Sequence, residues 1–238
     1  MKFGDRVVKP DVRRLDDMRE VIYDKEWLSN AKDINLYYMY RDLYKNEHDR
    51  DLLISHDLRY DITIIPPFML GSEYVKTMGH YHPQVPSTEV TYPELYEVLE
   101  GEAVYLMQRE DYKDVVSIGA STGDKVLIPP GYGHITINAS NRCLKMANFV
   151  ARSFSSIYGI MKEMGGAAYF LTENGYIPNK KYSPIPPRKD IHAPGNDVLA
   201  DFGLKKGREM YSLVKKPDIL KYLTSPQDYL DLFEIALS

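Results

Sequence analysis

Residues 123–138 read GDKVLIPPGYGHITIN, and this stretch decides the fold. Five of its residues stand at the spacing G-x5-P-x-G-x2-H-x3-N, namely Gly123, Pro129, Gly131, His134 and Asn138. The PPG turn alone is an ordinary strand connection, but five fixed residues at fixed offsets arise by chance in roughly one chain in ten thousand. Because side chains alternate faces along a strand, His134, Thr136 and Asn138 point the same way. The stretch therefore predicts two strands joined by a tight turn, with a histidine on one face of the second.

A second group of polar residues lies within residues 77–101, which read TMGHYHPQVPSTEVTYPELYEVLEG. His80 and His82 are two positions apart, so on a strand their imidazoles point the same way. Glu94 and Tyr96 share one face of the next apolar run, whose first polar residue can point into the mouth of a barrel. Two imidazoles and a carboxylate can therefore meet at one point.

Four side chains of the two stretches suit a divalent transition metal: His80, His82, Glu94 and His134. Neutral imidazole nitrogens and a carboxylate oxygen bind first-row ions and leave positions open for water or substrate. A lone His-x-His is more often a pair of half-buried strand histidines. The combination favours a metal site, because three of the six histidines of the chain fall at these positions.

The two stretches resemble the two sequence motifs of the cupin barrels. The resemblance implies an all-β fold, the cupin double-stranded β-helix or jelly-roll barrel, with a histidine of the second motif as the fourth metal ligand. One departure is the gap of eleven residues between His82 and Glu94, which contains Pro83, Pro86 and Pro93. We expect these residues to form an extra loop over the barrel mouth.

Length and composition limit the classes of function. With 238 residues and 44% hydrophobic content, the chain can bury one sizeable core and an appendage. A net charge of −4 gives no basic surface for nucleic acid or anionic membranes. Cys143 is the single cysteine, and MKFGDRVVKPDVRR at the N-terminus lacks the apolar run of a signal peptide. We expect a soluble cytoplasmic protein with no nucleic-acid or membrane partner.

The pattern of apolar residues divides the chain into three parts. Residues 1–33 are predicted to form an N-terminal arm with a short helix, because capping and helical-period signals lie within residues 11–32. Residues 34–178 carry β-branched and aromatic runs punctuated by Gly and Pro, which predict the strands of the barrel. Residues 179–238 form a C-terminal extension that begins rich in proline and charge, where we expect the core strands to have ended.

The extension is predicted to end in an amphipathic α-helix. Ser225 and Pro226 suit the N-cap and the first helical position. Six apolar residues then fall on roughly one face: Tyr229, Leu230, Leu232, Phe233, Ala236 and Leu237. This face must be covered, either by the barrel of the same chain or by a second subunit.

Several separate segments resemble the cupin-type glucose-6-phosphate isomerases. The similarity covers about residues 10–178 and is more specific than either cupin motif alone. The matching segments are VRRLDDM at 12–18, the pair Tyr37 and Tyr40, Thr63 fourteen residues before Thr77, T-x-G-H-x-H at 77–82, and Glu94-Leu95-Tyr96.

The resemblance implies an aldose–ketose isomerase that interconverts glucose 6-phosphate and fructose 6-phosphate in glycolysis and gluconeogenesis. The family route is a metal-stabilised cis-enediolate, with a hydride shift as the rival. The implied cofactor is one divalent ion per subunit, iron in the first place, with manganese, nickel, cobalt or zinc also compatible. The implied assembly is a homodimer.

The resemblance also implies roles for individual residues. The metal ligands are His80, His82, Glu94 and His134, and of these Glu94 and His134 are the catalytic residues. Glu94 is the candidate base, although a carboxylate bound tightly to metal must loosen before it can take a proton. The substrate contacts implied by the resemblance are Tyr37, Thr63, Thr77, Gly79 and Tyr96. Arg152 and Tyr158, from residues 149–159, are added to them as candidate contacts.

One segment departs from the family pattern. Members usually carry Y-P-x-D-A-G-H-D-Y-G after the last core strand, whereas residues 149–159 read FVARSFSSIYG. Tyr158 and Gly159 remain, and Phe149 replaces the first tyrosine. Ring opening or phosphate recognition is therefore expected to be rearranged, with Arg152, Ser155 or Ser156 as substitutes. A guanidinium such as that of Arg152 is a good phosphate partner.

Two other classes of function stay open at this point. The same four ligands serve metal-dependent cupin oxygenases and decarboxylases, because fold does not determine function. A cupin without the family's histidine segment could also bind a sugar phosphate without turning it over, or prefer another sugar phosphate such as mannose 6-phosphate.

Overall fold

The central part of the chain forms strands because apolar and β-branched residues alternate with polar ones along it. The computed structural model describes residues 1–235. Their strands are β1 (Lys2–Phe3), β2 (Arg6–Val7), β3 (Asp11–Arg14), β4 (Asn35–Tyr40), β5 (Leu58–Ile65), β6 (Met69–Leu70), β7 (Glu73–Tyr74), β8 (Glu94–Glu100), β9 (Glu102–Arg109), β10 (Val115–Ser121), β11 (Lys125–Ile128), β12 (Tyr132–Ile137), β13 (Leu144–Ala151), β14 (Tyr169–Thr172), β15 (Gly175–Pro178) and β16 (Arg188–His192).

The helices are short and lie mostly outside the barrel. The α-helices are α1 (Lys25–Asn30), α2 (Glu47–Ser55), α3 (Gly159–Glu163), α4 (Asn196–Asp201), α5 (Lys221–Thr224) and α6 (Leu230–Ile235). The 3-10 helices span Asp16–Val21, Met210–Lys215, Pro217–Leu220 and Pro226–Asp228. Among residues 1–235, no helix has both the length and the apolar character needed to span a membrane.

Two mainly antiparallel sheets form the barrel. The larger has six strands in the order β11-β8-β13-β5-β4-β3, and the smaller has four in the order β12-β9-β10-β16. The main core cluster includes residues of both sheets, such as Tyr96 and Met146 from the larger and Tyr105 and Ile118 from the smaller. The predicted all-β cupin barrel with a C-terminal extension ending in an α-helix is confirmed.

The N-terminal segment is more strand-like than the helical signals predict. β3 pairs with β4 and forms an edge of the six-stranded sheet, because Val12 and Arg13 lie opposite Tyr38 and Tyr37. A 3-10 helix follows, and α1 begins after Asp24, whose side chain accepts a hydrogen bond from the backbone N–H of Trp27. Residues 11–14 of the predicted arm are thus part of the six-stranded sheet, while β1 and β2 pair with each other.

The prediction that the core strands end by residue 178 is wrong. β16 (Arg188–His192) runs parallel to β10 and completes the four-stranded sheet. Its sequence, RKDIH, has too few apolar residues to show a strand pattern, since only Ile191 packs against the core. A free sheet edge offers unpaired backbone groups to any extended segment, so β10 decides the conformation of these residues.

The C-terminal extension covers the outer face of the six-stranded sheet. One cluster joins barrel residues such as Tyr60 and Phe149 to extension residues such as Phe202, Tyr222 and Phe233. Helix α6 therefore packs on its own chain through Phe233, and the side chain of Leu230 remains 46% exposed. Of the apolar residues predicted for this helix, Ala236 and Leu237 lie outside the described residues.

The extension also completes a buried ion pair on this face. Lys125 Nζ lies 3.2 Å from Glu97 Oε1, and both side chains are almost fully buried. The backbone N–H of Met210, from the extension, donates to the other carboxylate oxygen of Glu97 at 2.7 Å. Buried charges need partners of this kind, so the extension is part of the folded structure of the barrel.

Replacing Phe202 by alanine is expected to lower the free energy of unfolding by about 3–5 kcal/mol. The ring is 2% exposed and contacts Tyr222 at a centroid distance of 5.3 Å. Urea unfolding of the full chain measures the change. Leu230→Ala is the matched control in the same extension, and its side chain is exposed enough that a change within about 0.5 kcal/mol is expected. Equal effects of the two substitutions would contradict the packing of the extension on the barrel.

Candidate active site

Four side chains converge inside the barrel. One nitrogen or oxygen of each of His80, His82, Glu94 and His134 lies within 4.8 Å of the others. Glu94 Oε2 is 3.3 Å from Nε2 of His82, 3.3 Å from Nε2 of His134 and 4.0 Å from Nε2 of His80. The two nitrogens Nε2 of His80 and His82 are 3.1 Å apart. The structure thus brings together the four predicted metal ligands.

The backbone around Gly79 positions the first two histidines. Regular strand structure before these histidines is limited to β7, and the single bridges Lys76↔Ile137 and His80↔His134 follow it. Gly79 has a φ of +80°, and a Cβ there would lie 2.5 Å from Ile135 Cγ1, so only glycine fits. The backbone N–H of His134 donates to the His80 carbonyl at 3.0 Å, which holds these two ligands side by side.

The loop between the two halves of the first motif orients His82. Residues 83–93 are held by the bridge Gln84↔Thr91, and the carbonyl of Tyr92 lies 2.8 Å from Nδ1 of His82. A carbonyl can only accept, so Nδ1 carries the proton and Nε2 presents its lone pair to the other ligands. The predicted extra loop is present and packs beside His82, where Tyr92 stacks on Phe154.

The cluster fits a divalent metal ion. Donor atoms at about 2.1 Å from one ion are roughly 3.0–3.4 Å apart in octahedral or tetrahedral geometry, and three of the separations given above fall in this range. Glu94 Oε2 is buried and accepts no hydrogen bond among the described residues. A buried carboxylate oxygen without a partner is costly, and an ion bound by these four donors would satisfy it.

The pKa shifts of three of these side chains favour the protonation states of metal ligands. Burial lowers the pKa of His80 well below its ordinary value, and the neighbouring imidazoles lower it further. Burial also lowers the pKa of His134. Burial raises the pKa of Glu94, but the imidazoles of His134 and His82 outweigh this effect and hold it well below the ordinary value. Neutral imidazoles beside an ionised carboxylate are the protonation states that metal binding requires.

A cavity opens onto the cluster. Its walls include six of the seven predicted substrate contacts: Tyr37, Thr63, Thr77, Gly79, Tyr96 and Tyr158. The Tyr37 hydroxyl accepts a hydrogen bond from the N–H of Met78 at 3.2 Å, and Thr77 Oγ1 accepts one from Thr136 at 2.9 Å. Both hydroxyls keep their own proton for a ligand oxygen. The Tyr96 hydroxyl lies 3.0 Å from Nε2 of His134.

Arg152 does not line the cavity. Its guanidinium forms a bidentate pair with Asp42, and its Nε donates to the Leu58 carbonyl at 3.2 Å. These bonds tie β13 to the loop after β4, and they use the donors that a phosphate would need. The prediction of Arg152 as a phosphate partner therefore has no support in its contacts.

The neighbouring segment reaches the site with other residues. Phe149 is fully buried on the opposite face of β13, against Tyr60, so it does not take the place of a cavity tyrosine. Val150, Phe154 and Ser156 line the cavity instead. Of the predicted serine substitutes, Ser156 is among these lining residues and Ser155 is exposed.

Four polar cavity residues were missed by the sequence analysis: Arg41, Arg59, Asp61 and Asn148. Arg41, Arg59 and Asp61 could have been found from the alternation of side chains along a strand, which puts every second residue on the same face. Arg59 and Asp61 are four and two positions before Thr63, and Arg41 is four positions after Tyr37. Asn148 gives no such signal, because only the register of β13 reveals its neighbours: it lies opposite Asp61 on one side and Tyr96 on the other.

One solved structure that matches part of the chain is oxalate oxidase, at 15% identity and a TM-score of 0.39, covering 52% of this chain and 56% of that one. Another is the 7S globulin of Momordica charantia, at 16% identity and a TM-score of 0.37, which covers 50% of this chain and 32% of that one. Similarity of this extent carries no weight for function.

Sequence comparisons are more specific. The family described as glucose-6-phosphate isomerase (GPI) matches residues 12–187. The glucose-6-phosphate isomerase of Thermococcus litoralis is 27% identical over 169 residues, covering 71% of this chain and 84% of its own. That of Pyrococcus furiosus is 27% identical over 172 residues with the same coverage. The family match spans most of the chain, including all four converging residues, and the chain belongs to the glucose-6-phosphate isomerase family.

Proposed function

We propose that this protein interconverts glucose 6-phosphate and fructose 6-phosphate and that the reaction depends on a divalent transition metal. The observation that carries the proposal is the convergence of His80, His82, Glu94 and His134 at a cavity of a chain in this family. When bound, the ion supplies positive charge next to the sugar oxygens on which negative charge develops.

In this proposal Glu94 moves the proton between C1 and C2. Its carboxylate is the only acidic group among the four converging residues, and it is 4% exposed. Burial by itself makes a carboxylate more basic. The imidazoles of His134 and His82 nevertheless hold the pKa of Glu94 below its ordinary value, so Glu94 must move away from them and from the ion before it takes the proton. A sugar whose first two carbons lie beside Glu94 can lose a proton from one carbon and regain it at the other.

Hydroxyl groups around Glu94 are suited to orient the open-chain sugar. Tyr96 lies beside His134, and burial raises the pKa of its hydroxyl well above the ordinary value, with the Glu94 charge acting in the same direction. Tyr96 therefore stays protonated and can donate to a sugar oxygen. Tyr37 and Thr77, which also line the cavity, offer further protons. The aromatic ring of Phe154 limits water access near His82, since the two ring centroids are 4.6 Å apart.

The route of hydrogen transfer can be measured directly. Proton transfer through Glu94 exchanges with solvent, so product made in deuterium oxide would carry deuterium at C1 or C2. A hydride shift between the two carbons would leave both unlabelled.

The other family traits are part of the same proposal. Iron is the proposed metal, because histidine and carboxylate ligands suit ferrous iron, although the same ligands accept manganese, nickel, cobalt and zinc. The proposed assembly is a homodimer, with the exposed edge strand β3 as a natural contact. The proposed setting is glycolysis and gluconeogenesis in the cytoplasm, where the exposed thiol of Cys143 stays reduced.

Removing the metal is expected to abolish isomerisation, and adding it back is expected to restore it. The measurement is conversion of fructose 6-phosphate by the purified chain before chelation, after chelation, and after addition of ferrous, manganous or zinc ions. Circular dichroism of the chelated protein checks that it remains folded. Turnover that is insensitive to chelation would contradict the metal dependence.

Folded, metal-loaded protein without turnover would contradict the isomerase. Saturable binding of the sugar phosphate in that protein would then indicate a binding module. Oxygen uptake or carbon dioxide release with a carboxylate substrate would indicate a cupin oxygenase or decarboxylase.

A further inference from the structure

We propose that Arg41 and Arg59 form an anion site at the mouth of the cavity that binds the phosphate of the substrate. The inference rests on the proposed function for the identity of the phosphate, but the site itself follows from the contacts of the two arginines. Both guanidinium groups belong to residues that line the cavity, on two neighbouring strands of the six-stranded sheet or their ends.

Strand register places Arg59 in one row with the metal-binding carboxylate. Val150 of β13 lies opposite Arg59 on one side and Glu94 on the other. The Cα positions of Arg59 and Glu94 are therefore two strand spacings apart, about 9.6 Å. A hexose phosphate carries its reacting carbons at one end and its phosphate on C6 at the other. A sugar whose C1 and C2 lie beside Glu94 can reach Arg59 with its phosphate.

Register also places Arg41 next to Arg59. Tyr40 lies opposite Ile62, so the next residue, Arg41, lies beside Asp61. The backbone N–H of Asp42 donates to Asp61 Oδ1 at 2.8 Å, which fixes this continuation. The side chain of Arg41 is 37% exposed, which places it towards the mouth of the cavity.

The donors of both arginines are only partly used. Nε of Arg59 donates to both oxygens of Asp61, at 3.1 and 2.9 Å, and among residues 1–235 neither of its Nη atoms donates a hydrogen bond. Arg41 pairs with Asp11, whose side chain is 69% exposed. An exposed pair of this kind contributes little and can be exchanged for a ligand. Asp61 thus orients Arg59, and both arginines keep donors for an anion.

Charge balance in the cavity favours a dianion. Among the lining residues, the two guanidinium groups are matched by the carboxylates of Asp61 and Glu94, with the histidines neutral. A divalent ion at the histidine and glutamate cluster raises the net charge to about +2, which a phosphate dianion cancels. The hydroxyls of Tyr37, Thr63 and Thr77 can donate to the phosphate but bring no charge. Guanidinium groups supply both the charge and paired donors.

The test compares R41Q, R41K and R59Q with the wild-type full chain. The KM for fructose 6-phosphate is expected to rise about 10- to 100-fold in R41Q and in R59Q, the range expected for losing a hydrogen bond to a charged group. The KM is expected to rise more than kcat falls. R41K keeps the charge and loses the paired donors, so an intermediate KM is expected. R50Q on α2 removes an arginine 45% exposed and outside the cavity, and its KM is expected to match wild type.

Direct binding separates this inference from the proposed function. Isothermal titration with inorganic phosphate measures the anion site without turnover, and R41Q is expected to lose at least 10-fold in affinity. Unchanged KM and unchanged phosphate affinity in R41Q would overturn the anion site while leaving the isomerase intact. If the wild-type protein binds phosphate but does not isomerise, and R41Q binds phosphate more weakly, the isomerase would be overturned and the anion site supported. R59Q leaves Asp61 without its charged partner and can lose stability, so R41Q, at the more exposed position, decides the outcome if R59Q does not fold.

Discussion

Replacing His134 by alanine is expected to remove the bound metal and to lower isomerase turnover by about 1000-fold or more. The imidazole is 2% exposed, and its Nε2 lies 3.3 Å from Glu94 Oε2. Without it, two histidines and a carboxylate remain, and the buried oxygen of Glu94 loses one of its closest neighbours. The measurement is metal content per chain after loading and gel filtration, together with the rate of fructose 6-phosphate conversion.

Loss of fold is a weak explanation for such a result. The backbone hydrogen bonds between His80 and His134, at 3.0 and 3.3 Å, do not involve the imidazole and persist in the alanine variant. His48→Ala is the control, because His48 is exposed on α2 and does not line the cavity. A His134→Ala variant with full metal content and wild-type turnover would exclude the metal centre.

Replacing Glu94 by glutamine is expected to keep part of the metal and to lower turnover by about 100- to 10,000-fold. The amide has nearly the shape of the carboxylate, and its oxygen can still bind an ion, more weakly because it is neutral. It cannot accept the proton, since an amide is not a base at neutral pH. The measurement pairs metal content with kcat, because the expected result is a fall in kcat much larger than the fall in bound metal.

A matched control lies on the same strand. Glu100 is the last residue of β8 and is an even number of positions from Glu94, but its side chain is exposed to solvent. Glu100→Gln is therefore expected to leave both metal content and kcat unchanged. Full activity in Glu94→Gln would remove Glu94 as the base and favour the hydride shift.

The four candidate metal ligands were predictable because they stand at characteristic spacings within short stretches of sequence. His80 and His82 are two positions apart, and His134 follows a turn that needs Pro129 and Gly131. Such spacings specify how each segment bends and which side chains share a face. The similarity to a family of isomerases adds the function, and the fold adds the convergence of these segments to within 4.8 Å.

The arginines that line the cavity were not identified from the sequence. Arg152 lies within the segment that departs from the family pattern, and for that reason the sequence favours it as a phosphate partner. In the fold its donors are taken by Asp42 and the Leu58 carbonyl, which no spacing in the sequence indicates. Arg41 and Arg59 line the cavity instead, and alternation from Tyr37 and Thr63 places them there only once both strands are known to face it.

By itself, the sequence determined the β-barrel, the identity of the four metal-binding candidates and the family of the chain. These depend on local periodicity, turn residues and residue type, all of which act over short stretches of chain. Only the tertiary structure decided that residues 188–192 complete a sheet, that the extension closes over Glu97 and Lys125, and which arginines reach the cavity. Those features depend on pairing between segments far apart in the chain, where the partner available in the fold outweighs local preference.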